Sequence, residues 1–197
     1  MSSSVTFMDS ESDHMSAALD PHRRESMLHA LDEVIDGFSG VEPSVALVGW
    51  QAATLLGDVY ERASRFVIVE DREELVDSIE KGLRTLDVGK KVELVTQSPG
   101  EVELGDRVDV AVMSVRSTWF IEGDEADALQ NIRDNVVKSG GRVMPSRLSH
   151  LFELTTSPTG AHGMPLRVPR HSRPGEPVPV LSESKHFITH RLTGKTE

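Results

Sequence analysis

The 197-residue sequence contains no cysteine, which removes disulfides, thiolate nucleophiles and cysteine-based zinc sites. It is also short of positive charge, with 21 Lys and Arg against 32 Asp and Glu and a formal net charge of −11. A field of that sign repels phosphate backbones, so nucleic acid is not an expected partner unless a local basic patch overrides it. An acid-rich surface keeps a protein in solution and also suits work in high salt. No apolar run approaches the roughly 20 residues that span a bilayer. The opening MSSSVTFMDSESDHM has neither the basic start nor the apolar centre of a secretory signal. These absences predict a soluble, cytoplasmic protein without membrane contact. A chain of this length suits one domain with a full core and at most a small appendage.

Strong helix and strand signals alternate along the first three quarters of the chain. Residues 1–12 are Ser- and acid-rich and are expected to form a flexible N-terminus. Asp20-Pro21 is a helix start, an N-cap carboxylate followed by proline at the first helical position. Met27, Leu28, Leu31, Val34, Ile35 and Phe38 then recur at helical spacing as far as Gly40. Unbroken apolar runs at 44–49 (SVALVG) and 65–70 (RFVIVE) read as strands buried on both faces. Residues 51–63 and 72–86 read as helices. Residues 92–96 and 108–114 read as strands three and four. Ala126, Leu129, Ile132 and Val136 predict a helix ended by Ser139-Gly140-Gly141, and residues 142–145 and 148–154 predict further strands. The pattern implies an α/β fold, a Rossmann-like and mostly parallel sheet with helices on both faces. The α/β domain is expected over 13–154. Six of the ten prolines fall between Pro158 and Pro179, so 155–197 reads as a Pro-rich extension with one late strand at 186–192.

In such sheets ligands sit beyond the carboxyl ends of the strands, at the switch point beside the first strand. The turn VALVGWQAATLLG (45–57) falls there. A dinucleotide fingerprint needs three glycines spaced G-x-G-x-x-G. Only Gly49 is present, with Gln51 and Ala53 or Thr54 in the later positions, so a dinucleotide is not expected. Strand two ends in Glu70-Asp71, where a carboxylate can accept hydrogen bonds from a ribose diol; an equally open reading makes Glu70 a cap for the next helix. Trp50 either fills the space a ligand would use or packs beneath the turn.

Several segments in order resemble the methyltransferase domain of protein arginine methyltransferases and their archaeal relatives, class I S-adenosylmethionine-dependent methyltransferases. They are 14–23 (HMSAALDPHR), Gly49, Glu70, 92–104, the strand 108–114, and 138–147 (KSGGRVMPSR). The resemblance implies S-adenosylmethionine as cofactor and a cofactor site at Arg23, Gly49, Trp50, Glu70, Asp71, Gly100 and Met113. In it Arg23 pairs with the methionine carboxylate, which an arginine fork suits, Gly49 lets the backbone approach, and Glu70 holds the ribose.

The chain also departs from that family. Leu47 replaces an acidic residue before the first glycine. In the family the loop after strand four carries two glutamates that hold a guanidinium; here Ser114 stands at the first. Arg116 adds a charge that would repel a guanidinium, and Glu122 or Asp124 matches the second only with a shifted alignment. Ser114 and Glu122 are the catalytic candidates this leaves, and arginine is not the expected substrate. The family's β-barrel with its dimerisation arm is largely missing. Two readings stay open, a methyltransferase of unknown substrate and a catalytically inactive methyltransferase-like binding or regulatory subunit. Either allows a protein partner or a homo-oligomer. His186 and His190 lie in strand-like sequence, so no metal site is expected. Arg167, Arg170, His171 and Arg173 read as a solvated basic loop, or as a docking segment for an acidic partner or phosphate.

Overall fold

A computed structural model describes residues 20–86, 88–114, 125–152, 160–161, 164–165 and 185–191. The chain divides into two compact units, one formed by Met1–Ser146 with Leu192–Glu197 and the other by Arg147–Arg191.

The first unit opens with α1 (Pro21–Asp36), whose N-cap Asp20 accepts hydrogen bonds from the backbone of His22 and Arg23 through Oδ1. This satisfies two of the three N–H groups that this helix start leaves without partners, Pro21 having none. Leu31 and Ile35 form its buried stripe. The strands β1 (Ser44–Val48), β2 (Arg65–Val69), β3 (Val92–Val95), β4 (Val108–Met113) and β5 (Val137–Met144) form one sheet in the order β3-β2-β1-β4-β5. Every pairing in it is parallel. All five residues of β1 are buried, as a strand covered on both faces must be. The core holds Phe66, Leu31, Leu47, Leu55 and Ile68 at or below 1% exposure, each contributing about 1.5–3 kcal/mol by burial. At the base of the sheet Ser44 locks β1 to β4. Its N–H and Oγ donate to Asp109 Oδ2 at 2.9 and 2.7 Å, and Oγ accepts from the Asp109 N–H.

Two segments differ from expectation. The helix expected over 51–63 is broken into α2 (Trp50–Ala53), α3 (Leu56–Val59) and a 3₁₀ turn at Tyr60–Arg62. The Thr54 hydroxyl donates back to the Gln51 carbonyl at 2.7 Å, and the next amides tighten onto carbonyls three residues back. The glycine pair does not end the helix either. Helix α5 (Glu125–Asn131) passes into a single π turn at Ile132–Val136, and β5 begins at once. Val137 pairs with Val108, and the next pair is Arg142 with Val110, so Lys138–Gly141 bulges out of β5.

Helix α4 (Glu73–Leu86) joins β2 to β3 and buries Leu75 and Ile79. In the second unit β6 (Arg147–Phe152) pairs antiparallel with β9 (Lys185–Arg191), and the short β7 (Gly160–Ala161) pairs with β8 (Met164–Pro165). No described helix is long and apolar enough to cross a membrane.

Candidate functional site

The sheet order reverses at β1, which has β2 on one side and β4 on the other. A cleft of about 120 Å³ opens at the carboxyl ends of these strands. Its lining brings together Gly49 after β1, Glu70 and Asp71 after β2, Gly100 after β3, and Met113 and Ser114 at the end of β4. Five of the seven residues named for the cofactor from the sequence therefore meet in one place.

The parallel ladder extends past the strand ends and fixes this rim. Gly49 N–H donates to Val69 O at 2.8 Å, Glu70 N–H to Val95 O at 3.2 Å, and Ser114 N–H to Val48 O at 3.0 Å. Gly49 adopts φ +87°, and a Cβ there would lie 3.3 Å from the Ser114 Cβ. The conformation and the contact both call for glycine. Ser114 is buried, and its Oγ accepts the Ala52 N–H at 2.9 Å, so its hydroxyl braces the turn from below.

The Glu70 side chain is 2% exposed and crowded with donors. Its Oε2 accepts Trp50 N–H at 2.8 Å. Its Oε1 accepts the backbone N–H groups of Asp71 and Arg72, both at 3.2 Å. The Arg72 guanidinium then forks across it, Nε to Oε1 at 3.0 Å and Nη2 to Oε2 at 3.3 Å. Burial pushes the Glu70 carboxyl upward, but the Arg72 fork and the backbone donors outweigh it and hold its pKa below the ordinary carboxylate value. Asp109 is held low in the same way, burial being outweighed by Ser44 and by Lys138, whose Nζ donates to Oδ1 at 2.9 Å.

A folded-state pKa below the unfolded one means stabilisation that is complete above the unfolded value and lost as pH falls through the folded one. Acid titration of the wild type followed by circular dichroism should therefore show stability declining below the ordinary carboxylate range. Asp109→Asn should remove part of that decline.

Trp50 packs its ring against the core cluster and does not line the cleft. Arg23 stands exposed on the first turn of α1 and does not line the cleft either. His14, Arg116, Glu122, Asp124 and the basic run Arg167–Arg173 lie outside the described residues. Reading the sequence missed Arg72, Ser98, Pro99, Glu125 and Ala128, of which all but Arg72 line the cleft. The only sequence signal for Arg72 was its place two residues after the strand-end acid.

The chain is similar in structure to the Trypanosoma brucei PRMT1 enzyme–prozyme heterotetrameric complex with AdoHcy. The TM-score is 0.70 at 12% identity, covering 93% of this chain and 63% of that one. It is also similar to Arabidopsis thaliana protein arginine methyltransferase 10, with a TM-score of 0.59 at 19% identity over 75% of this chain and 41% of that one. The chain thus spans less than two thirds of the length of either. No protein-family model matches the sequence, and no curated protein matches it. The fold is that of a class I S-adenosylmethionine-dependent methyltransferase.

Proposed function

We propose that the chain binds S-adenosylmethionine or S-adenosylhomocysteine in this cleft and serves as a methyltransferase for a nucleophile other than arginine. The observation that supports the reading is the position of Glu70. It lies at the end of β2, lines the cleft beside Gly49 and Gly100, and presents a carboxylate where a ribose diol can be accepted. The donor set fits the adenosyl half of such a ligand on one condition. Both Glu70 oxygens are filled, so a diol enters only when donors now on them leave.

When bound, S-adenosylmethionine supplies an electrophilic methyl group. The chain's own contribution would be positioning: Glu70 and Asp71 orient the ribose, Gly49 permits close backbone approach, and Met113 forms an apolar wall. Arg23 stands exposed at the start of α1 and does not line the cleft, so the reading does not rest on it. A cleft of about 120 Å³ is small beside the roughly 300–1,000 Å³ of sites that enclose a small molecule, so it would enclose only part of such a ligand.

The second reading, a catalytically inactive binding or regulatory subunit, is favoured by Ser114. It stands where the family resemblance places the first substrate-holding glutamate, and it is a buried residue whose hydroxyl braces a turn. The solved Trypanosoma brucei assembly joins an enzyme with a prozyme, and a protein partner for this chain belongs to this reading. Equilibrium dialysis with labelled S-adenosylmethionine, followed by label transfer to amine, hydroxyl and carboxylate acceptors, tests both. Retention with transfer supports the methyltransferase, and retention without transfer by the chain alone supports the subunit. Absence of retention at millimolar ligand would rule out a cofactor site.

A further inference from the structure

We infer that Arg72 sets the ligand affinity of this cleft, by occupying the Glu70 oxygens until a ribose diol displaces it. The inference rests on the reading of the cleft as an adenosyl site. An ionised carboxylate offers about four acceptor positions, and Glu70 already meets five donors. Three are backbone N–H groups, those of Trp50, Asp71 and Arg72, held by the turn after β1 and the link to α4. They cannot leave without moving the backbone. The other two are the Arg72 side-chain nitrogens, which leave by rotation about side-chain bonds. The Arg72 side chain is 26% exposed and does not itself line the cleft, whereas that of Glu70 is 2% exposed and does, so the guanidinium can leave toward water and acts on a ligand only through the Glu70 carboxylate. Two ribose hydroxyls can replace two N–H donors one for one, and the charge left on Glu70 then faces a polar partner rather than an empty cleft.

The consequence is quantitative. When only a fraction of molecules has the binding-competent arrangement, the apparent Kd is the intrinsic Kd divided by that fraction. If Arg72 covers Glu70 in roughly 90–99% of molecules, its removal tightens binding about tenfold to a hundredfold. Loss of a merely structural side chain would weaken binding or leave it unchanged. The wild-type site would also discriminate by the diol, since a ligand lacking one hydroxyl cannot replace both donors.

Calorimetric titration of S-adenosylhomocysteine, adenosine and 2′-deoxyadenosine into wild type, Arg72→Ala and Arg72→Lys tests this, with a circular-dichroism melt to confirm that each variant is folded. Arg72→Lys keeps the charge without the fork and carries the test if Arg72→Ala does not fold. The expected result is tighter binding of S-adenosylhomocysteine and adenosine by Arg72→Ala, an intermediate gain for Arg72→Lys, and weaker binding of 2′-deoxyadenosine than of adenosine by the wild type. Wild-type binding that neither folded variant improves would overturn the role of Arg72 and leave the cofactor site standing. Failure of every protein to bind would overturn the cofactor site, and the role of Arg72 with it.

Discussion

Replacing Glu70 by alanine is expected to lower the melting temperature by roughly 6–20 °C and to abolish adenosyl-ligand binding. The carboxylate is the acceptor for three backbone N–H groups and a guanidinium in a place with almost no access to water. The half-buried Arg72 guanidinium can turn to water, but three backbone N–H donors lose their acceptor; at about 1–3 kcal/mol for each unsatisfied group, the loss should reach about 3–5 kcal/mol. For a chain of this size each kcal/mol moves the melting temperature by about 2–4 °C. Glu70→Gln keeps the volume and one acceptor oxygen, but its amide nitrogen would face donors that are themselves N–H groups. It should be destabilised less than the alanine variant and should also fail to bind. A thermal melt of the two variants checks the order, and equal melting temperatures for wild type and Glu70→Ala would show that the buried network contributes nothing to the fold.

The second large effect is expected at Gly141, one of two adjacent glycines with opposite constraints. A Cβ on Gly141 would lie 2.5 Å from Val137 Cγ1, 2.8 Å from the Asp109 carbonyl oxygen and 3.0 Å from the Lys138 carbonyl oxygen. Two of these neighbours are backbone, so the bulge itself must shift. Overpacking of this kind costs about 1–3 kcal/mol, and Gly141→Ala should fall near the upper end. Gly140 has φ +82° but open space around it, so Gly140→Ala should lose only the left-handed preference, about 1–2 kcal/mol. Urea unfolding of both variants decides the matter. A larger loss at Gly140 than at Gly141 would contradict the bulge geometry.

The sheet could be read from the sequence because strands buried on both faces cannot alternate polar with apolar residues. Val45–Val48 and Phe66–Val69 are unbroken apolar runs for that reason. The start of α1 was legible because Asp20-Pro21 places an acceptor and a missing N–H where a helix start needs them. Glu70 and Asp71 could be placed at a ligand-binding edge because they end a strand. The partner of Glu70 could not be read. In the run Glu70-Asp71-Arg72-Glu73-Glu74 an arginine looks like one more solvated charge, and only the saturation of a buried carboxylate gives it meaning. The work of Ser114 was hidden for a related reason. The β1–β4 register sets Val48 opposite Met113, which brings the serine beneath Gly49, and no local pattern encodes that register. Trp50 was ambiguous because a turn residue can point to either side of the sheet edge, and its ring went to the core. The glycine pair misled because Ser-Gly-Gly after an amphipathic stretch is also how helices stop, whereas buried Val136 and Val137 had already carried the chain into the sheet.

The central claim is that the cleft beyond β1, β2 and β4 takes an adenosyl ligand through Glu70. Its most direct measurement is a calorimetric titration of S-adenosylhomocysteine into the folded wild type and Glu70→Gln under identical salt. The account predicts saturable one-to-one binding by the wild type and none by the variant. Equal binding by the two proteins, or no binding by the wild type at millimolar ligand, would contradict it.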